Sequence, residues 1–127
     1  SRVREWALLS PPWGVGLIAQ VAGVEALAAS DYYAARFEET SVLRKAMAGE
    51  LNKFVRVIPG RANFLLLELE HPNADAIVAR CAEHDVFLRN CDSLSERFHG
   101  RYLRTAVKDA ETNLRISTAL KAALSAK

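Results

Sequence analysis

The sequence contains little cysteine and no long hydrophobic run. Its two cysteines, among 127 residues, are too few for a disulfide framework, so a reducing, cytoplasmic compartment is expected. The longest weakly polar stretch, residues 11–30, includes Gln20 and Glu25 and is rich in alanine and glycine, which suits helix packing better than lipid. The N-terminus has no apolar run followed by a small-residue cleavage site, so neither a secretory signal nor a membrane segment is predicted.

Neither sign of charge is in large excess. Seventeen Lys and Arg residues against fifteen Asp and Glu give a formal net charge of +2. Because basic and acidic residues are interleaved, the sequence predicts no binding to nucleic acid or to an anionic membrane. Half of the residues are hydrophobic, 50%, and 25% are charged, which is typical of one globular domain with its own core. Since the chain opens on Ser1 rather than Met, we expect it to be part of a longer protein.

The periodicity of the apolar residues predicts two helices, two strands, a helix, two strands and a final helix. The four helices are predicted over residues 14–29, 32–53, 74–84 and 109–124. The four strands are predicted over residues 55–58, 63–70, 86–89 and 101–107. Phe37 and Leu114 are expected on the inward faces of their helices, and Asp109 is expected to cap the last helix.

This order of elements predicts an α+β fold with a small, mostly antiparallel sheet. Helices are expected to pack mainly on one face of the sheet, and two further helices precede it. The helix over residues 14–29 is almost free of charge. We therefore expect it to pack against another domain or another subunit.

Two motifs point toward cofactors or metals, and a structural role is favoured for both. Residues 14–19 match the dinucleotide pattern GxGxxA, but Pro11-Pro12-Trp13 precedes them where that chemistry requires a strand, so the glycines are predicted to allow close helix packing. The cysteines and three histidines fall at no recognised ligand spacing, so no metal site is predicted. A nucleophile made from Cys91 and His99 would require the loop between them to bring the two side chains together.

Arginine and asparagine residues on the predicted strands are the candidates for ligand binding. Arg89 ends one short apolar segment and Arg104 interrupts another. A planar guanidinium can bind a carboxylate or phosphate through two hydrogen bonds, so two arginines on adjacent strands could bind a substrate with two anionic groups. Asn63 precedes an apolar run and either binds ligand or satisfies a turn. The alternative for the arginines is an ordinary salt bridge with a nearby acid, namely Glu68, Glu70 or Asp92.

Several short segments follow one another in an order shared with one enzyme family. They are Pro11-Pro12-Trp13 before a helix carrying Ala19-Gln20, Ala62-Asn63-Phe64-Leu65-Leu66, Phe87-Leu88-Arg89-Asn90-Cys91, and Tyr102-Leu103-Arg104-Thr105-Ala106-Val107 followed by Glu111-Thr112-Asn113. Together they resemble the C-terminal part of fold-type I pyridoxal-phosphate enzymes, specifically the histidinol-phosphate aminotransferase-like group. The resemblance covers nearly the whole chain. It implies that residues 13–127 are the small domain and residues 1–12 a lead-in from a large domain.

The resemblance also implies roles for individual residues. Arg104 matches an arginine that pairs with the substrate's carboxylate or an equivalent group, and Arg89 matches one that binds the phosphate or other distal end. Asn63 is the third expected substrate-binding residue. No lysine lies in the family's Schiff-base context, so this chain alone is expected to bind no pyridoxal phosphate and to be inactive. The parent enzyme is expected to be a homodimer acting on small amino and 2-oxo acids.

Transamination by the parent enzyme is the leading interpretation, and three alternatives stay open. Threonine-phosphate decarboxylases share the small domain and both arginines, so this sequence does not separate them from aminotransferases. An amino-acid-binding regulatory module of the ACT type has a suitable size, but such modules usually begin with a strand, whereas this chain opens with two helices. A structural interaction domain is favoured if the helix over residues 14–29 proves to be a self-association surface.

Overall fold

The computed structural model describes residues 14–126, so the expected lead-in over residues 1–12 and the Pro11-Pro12-Trp13 motif lie outside the described part. The chain divides into two compact units after Arg36. The predicted fold class is confirmed: in this described part, four α-helices accompany one four-stranded antiparallel sheet. Within residues 14–126, no helix is both long enough and apolar enough to cross a membrane.

The helices and strands occur in the predicted order. The helices are α1 (Leu17–Ala28), α2 (Ser30–Leu51), α3 (Ala74–Ala82) and α4 (Ala110–Ser125). The strands are β1 (Arg56–Ile58), β2 (Phe64–Glu68), β3 (Arg89–Asn90) and β4 (Tyr102–Ala106). Two short 3-10 turns, Asp92–Leu94 and Glu96–Phe98, connect β3 to β4.

The strand predicted over residues 86–89 is mostly wrong, because only Arg89 at its end pairs with another strand. The Val86 backbone N–H instead donates to the Cys81 carbonyl at 3.1 Å, which closes the turn after α3. Asp85 in that turn adopts a positive φ of 55°. The apolar side chains of Val86 and Leu88 are nevertheless buried, so burial produced the strand-like pattern without a hydrogen-bonded ladder.

The first unit contains α1 and the beginning of α2. No residue of α1 is buried, although the helix presents large apolar side chains at Leu17, Ile18, Val21, Val24 and Leu27. A Cβ built at Gly14, Gly16 or Gly23 would meet nothing within 4 Å. The predicted close packing of the glycines is therefore not seen within residues 14–126, and the packing of α1 against another domain or subunit stays a prediction.

The second unit contains the sheet, whose strands lie in the order β1-β2-β4-β3. Alternate strand residues form its buried face, in the rows Val57–Leu67–Leu103 and Leu65–Thr105. The C-terminal end of α2, together with α3 and α4, covers this face. These helices contribute Met47, Leu51, Ala74, Ile77, Cys81, Ile116, Ala119, Leu120 and Ala123 to the core.

Phe37 and Leu114, both predicted to face the core, are exposed. Phe37 is 70% exposed, and the buried positions of α2 begin only at Met47, almost three turns later. Leu114 is 65% exposed, because the buried stripe of α4 is made by Asn113, Ile116, Ser117 and Leu120, whose spacing leaves Leu114 beside the stripe.

The predicted start of α4 is confirmed in its details. The Asp109 carboxylate accepts hydrogen bonds from the Thr112 backbone N–H at 2.9 Å and from the Thr112 hydroxyl at 2.8 Å. These bonds lower the pKa of Asp109. The side-chain amide of buried Asn113 exchanges hydrogen bonds of 2.8 and 2.9 Å with the backbone of Lys108, which attaches the end of β4 to α4.

Candidate functional site

The face of the sheet opposite the core carries Arg89 and Arg104, two of the three residues that the sequence singles out. Successive side chains of a strand point to opposite faces, so the neighbours of the buried residues form this second face. We call it the open face. None of its members is fully buried; they are Arg56, Ile58, Phe64, Leu66, Glu68, Arg89, Tyr102, Arg104 and Ala106.

Arg89 and Arg104 are brought together on the open face. They are directly opposite each other on the antiparallel strands β3 and β4, an arrangement that places side chains on the same face with Cβ atoms about 5 Å apart. Arg89 is exposed and Arg104 half-buried. Within residues 14–126, neither guanidinium forms an ion pair with a carboxylate. Two like charges so close repel each other and favour the arrival of an anion.

Arg104 contacts an aromatic ring instead of an acid. Leu66 is directly opposite it on β2, which leaves Phe64 and Glu68 as its two diagonal neighbours on the same face. The guanidinium carbon lies over the Phe64 ring, 5.0 Å from the ring centroid, within cation–π distance. Sequence reasoning missed this contact. The signal in the sequence was Phe64 itself, an aromatic residue two positions before Leu66, which is opposite Arg104.

Glu68 belongs to a different row of the open face. It forms an ion pair with Arg56 at 2.9 Å, and Arg101 approaches its other carboxylate oxygen at 3.8 Å. A hydrogen bond between Tyr102 and Glu68 raises the pKa of the Tyr102 phenol. The alternative expected for Arg89 and Arg104, a salt bridge with a nearby acid, is therefore not seen within residues 14–126, and Glu68 pairs with Arg56 instead.

Asn63 lies at the same end of the sheet as Phe64 but is not gathered with the arginines. Its backbone carbonyl accepts a hydrogen bond from the Val107 N–H at 2.9 Å, which continues the β2–β4 pairing by one residue. Its side chain is exposed. Asn63 is three residues from Leu66, the residue opposite Arg104, a separation of about 10 Å along the strand.

The comparisons with known proteins agree with this architecture. The chain is 28% identical over 113 residues to the histidinol-phosphate aminotransferase of Methanocella arvoryzae, covering 89% of this chain and 30% of the relative. It is 32% identical over 114 residues to the threonine-phosphate decarboxylase of Salmonella typhimurium, covering 87% and 30%. This chain is related to the C-terminal part of fold-type I pyridoxal-phosphate enzymes.

A solved structure of the same group supports this relationship. The crystal structure of the histidinol-phosphate aminotransferase from Clostridium acetobutylicum matches with a TM-score of 0.73 at 28% identity, over 91% of this chain and 35% of that chain. The chain spans about 30% of the length of the curated relatives that it matches. No protein-family model matches it.

The residues described here do not fit the coenzyme of these pyridoxal-phosphate enzymes. Coenzyme chemistry of this kind uses a lysine that desolvation has activated. The lysines within residues 14–126 are all exposed, and Lys53 is paired with Glu50 at 2.7 Å. No covalent step is therefore assigned to this part of the chain, and what its own residues supply is a pair of guanidinium groups.

The cysteines do not form a reactive site. Both are free and buried, and burial raises the pKa of each thiol. The positive charges of Arg104 and Arg89 offset only part of that rise at Cys91, whose thiol donates to the Arg89 carbonyl at 3.7 Å. Because the thiolate is the nucleophilic form, this environment disfavours a nucleophilic role for Cys91. Among residues 14–126, no cluster of three His, Cys, Asp or Glu side chains could hold a metal ion.

Proposed function

We propose that this chain is the substrate-anion-binding small domain of a pyridoxal-phosphate-dependent aminotransferase. In this proposal, the complete enzyme moves an amino group between an amino acid or amino-phosphate compound and a 2-oxo acid. Arg104 binds the substrate's carboxylate or an equivalent group, and Arg89 binds its phosphate or other distal end. Asn63, about 10 Å along β2 from the residue opposite Arg104, is the third proposed substrate-binding residue and offers its side-chain amide.

The pairing of Arg89 with Arg104 carries the proposal. The two cations are opposite each other and have no carboxylate partner within the described residues. The two anionic groups of such a substrate would relieve this repulsion, and each would accept charge-assisted hydrogen bonds from one guanidinium group. A substrate held at both ends has little rotational freedom, and this orients its reacting carbon without any chemical step by the arginines themselves.

The domain assignment is part of the same proposal. Residues 13–127 form the small domain, which closes over the site, and residues 1–12 lead in from a large domain that holds the coenzyme and the Schiff-base lysine. The exposed apolar side chains of α1 are consistent with a surface that packs against another domain or subunit, since large exposed apolar patches mark such contacts. A homodimeric, cytoplasmic enzyme is proposed, and two free, buried cysteines are compatible with a reducing compartment.

A decarboxylase is the second candidate function, and the 32% identity to threonine-phosphate decarboxylase favours including it. The two arginines would play the same part in either enzyme, because both substrates carry a distal anion. The reactions differ in which bond of the α-carbon is broken. That choice depends on how the substrate is held against the coenzyme, so activity assays of the complete enzyme with both reactions are the measurement that separates them.

The binding role is tested by titrating the isotopically labelled chain with O-phospho-L-serine, which carries a carboxylate and a phosphate. We expect the Nε–Hε resonances of Arg89 and Arg104 to shift, with weak affinity in about the millimolar range for one separated domain. Arg56, on the same face but paired with Glu68, is the internal control. A titration that shifts Arg56 and leaves both other arginines unmoved would overturn the proposal. Tight, stoichiometric binding by the chain alone would instead indicate a regulatory module.

A further inference from the structure

We propose that Phe64 is a positioning residue that holds the Arg104 guanidinium ready for an anion and away from Glu68. This inference rests on the proposed function, in which Arg104 binds the substrate. Arg104 has two diagonal neighbours on β2, an aromatic ring in one direction and a carboxylate in the other. Its guanidinium lies over the ring, 5.0 Å from the centroid, and forms no ion pair with Glu68.

The choice between these two neighbours decides whether Arg104 can bind a ligand. An ion pair with Glu68 would neutralise the charge and occupy the N–H groups of the guanidinium. A ring contact does neither, because an aromatic ring has no net charge and no carboxylate oxygen to occupy the N–H groups that bind a carboxylate or phosphate. The cation–π contact with Phe64 therefore orders Arg104 while its donors stay available.

The surroundings of Glu68 reinforce this arrangement. Arg56 and Arg101 approach its two carboxylate oxygens, at 2.9 and 3.8 Å. An acid with two cationic partners has little remaining capacity to attract Arg104. Phe64 is 36% exposed, more than a residue needed only for the core would be, and it lies on the face opposite the core.

The test uses the 127-residue chain and follows the Arg104 Nε–Hε resonance by NMR. In the wild type we expect this resonance to be shifted by the Phe64 ring current and to show restricted motion. Phe64→Leu keeps an apolar side chain but removes the ring, so both properties should be lost. The affinity for inorganic phosphate at Arg104 should fall about two- to fivefold, the range that corresponds to one exposed cation–π contact. Phe64→Tyr keeps the ring and should retain the affinity and the restricted motion.

A second substitution separates positioning from a general loss of structure. In the double variant Phe64→Leu, Glu68→Gln, the competing carboxylate is gone, and we expect part of the phosphate affinity to return. Backbone N–H signals of β2 and β4 report whether each variant is folded, and the Arg56 resonance in Phe64→Leu is the control for an effect confined to Arg104.

The possible outcomes separate the two proposals. Loss of Arg104 ordering and affinity in Phe64→Leu, with both kept in Phe64→Tyr, supports the positioning role. An unchanged Arg104 resonance in Phe64→Leu, or lost ordering with unchanged affinity, refutes it. A wild-type chain whose Arg104 resonance shows the ring-current shift but does not respond to O-phospho-L-serine contradicts the proposed function instead.

Discussion

Arg89 and Arg104 are directly opposite each other on β3 and β4, and within residues 14–126 neither has an acidic partner. Like charges in this position destabilise a sheet. The arrangement is unfavourable for the free chain and favourable for a complex with an anion. This relationship can be tested through stability, without any activity measurement.

Replacing Arg89 by Gln is expected to raise the free energy of unfolding at low ionic strength. Removal of one charge relieves repulsion with Arg104, and the gain should be a few tenths of a kcal/mol because the side chain is exposed and solvent screens it. Urea denaturation at low and high salt measures the effect, which should vanish at high salt. Arg56→Gln is the matched control and should lower stability, since it breaks the pair with Glu68. An equal loss in both variants would contradict the prediction.

In the complete enzyme, Arg104→Ala is expected to raise the KM for the anionic substrate. Removing one partner of a buried charged pair costs about 2–5 kcal/mol. Arg104→Lys restores the charge without the planar pair of donors, so it should recover only part of the loss. Steady-state kinetics measure the effect, and Arg56→Ala serves as the control from the same face. Wild-type kinetics in Arg104→Ala would rule out the assigned role.

The two faces of β2 should respond differently to truncation. Leu67 is fully buried against the helices, so Leu67→Ala should lower the free energy of unfolding by about 2–5 kcal/mol. Leu66, its neighbour on the open face, is half-buried, and Leu66→Ala should cost less. Chemical denaturation of the two variants gives the comparison. A larger loss from Leu66→Ala would mean that the buried and open faces are exchanged.

Asp109, which caps α4, should make the free energy of unfolding fall at acid pH. Hydrogen bonds from Thr112 lower the pKa of Asp109 below its ordinary value of 3.8. A carboxyl whose pKa is lowered by folding contributes stability that is complete above the ordinary value and is lost as the pH falls toward the lowered one. Asp109→Asn keeps an acceptor oxygen for the cap but does not titrate.

We therefore expect wild type to be more stable than Asp109→Asn near neutral pH and the difference to shrink as the pH falls below about 5 toward the lowered pKa of Asp109. Thermal unfolding across this range measures it. A difference that is independent of pH would show that the charge of Asp109 does not contribute. Thr112→Val, which removes the hydroxyl that binds Asp109 at 2.8 Å, should show a reduced form of the same pH dependence.

Local signals in the sequence predicted much of the fold. The periodicity that predicts a helix over residues 74–84 matches α3, and the apolar residues Ile77 and Cys81 on that helix are buried. The Asp109 cap was predicted from one side chain at the start of a helical pattern, and the structure confirms it. These features depend on neighbours a few residues apart. The exposure of Phe37 and Leu114 was not predicted, because it depends on which part of α2 reaches the sheet and on how α4 is rotated against it.

The sequence by itself determined the types and order of the elements and the resemblance to fold-type I pyridoxal-phosphate enzymes. Only the tertiary structure decided that Arg89 is opposite Arg104 and that Arg104 lies over Phe64 rather than beside Glu68. The physical reason is strand register. Shifting β3 by one residue would turn Arg89 to the other face of the sheet, and that register depends on contacts between segments that are far apart along the chain.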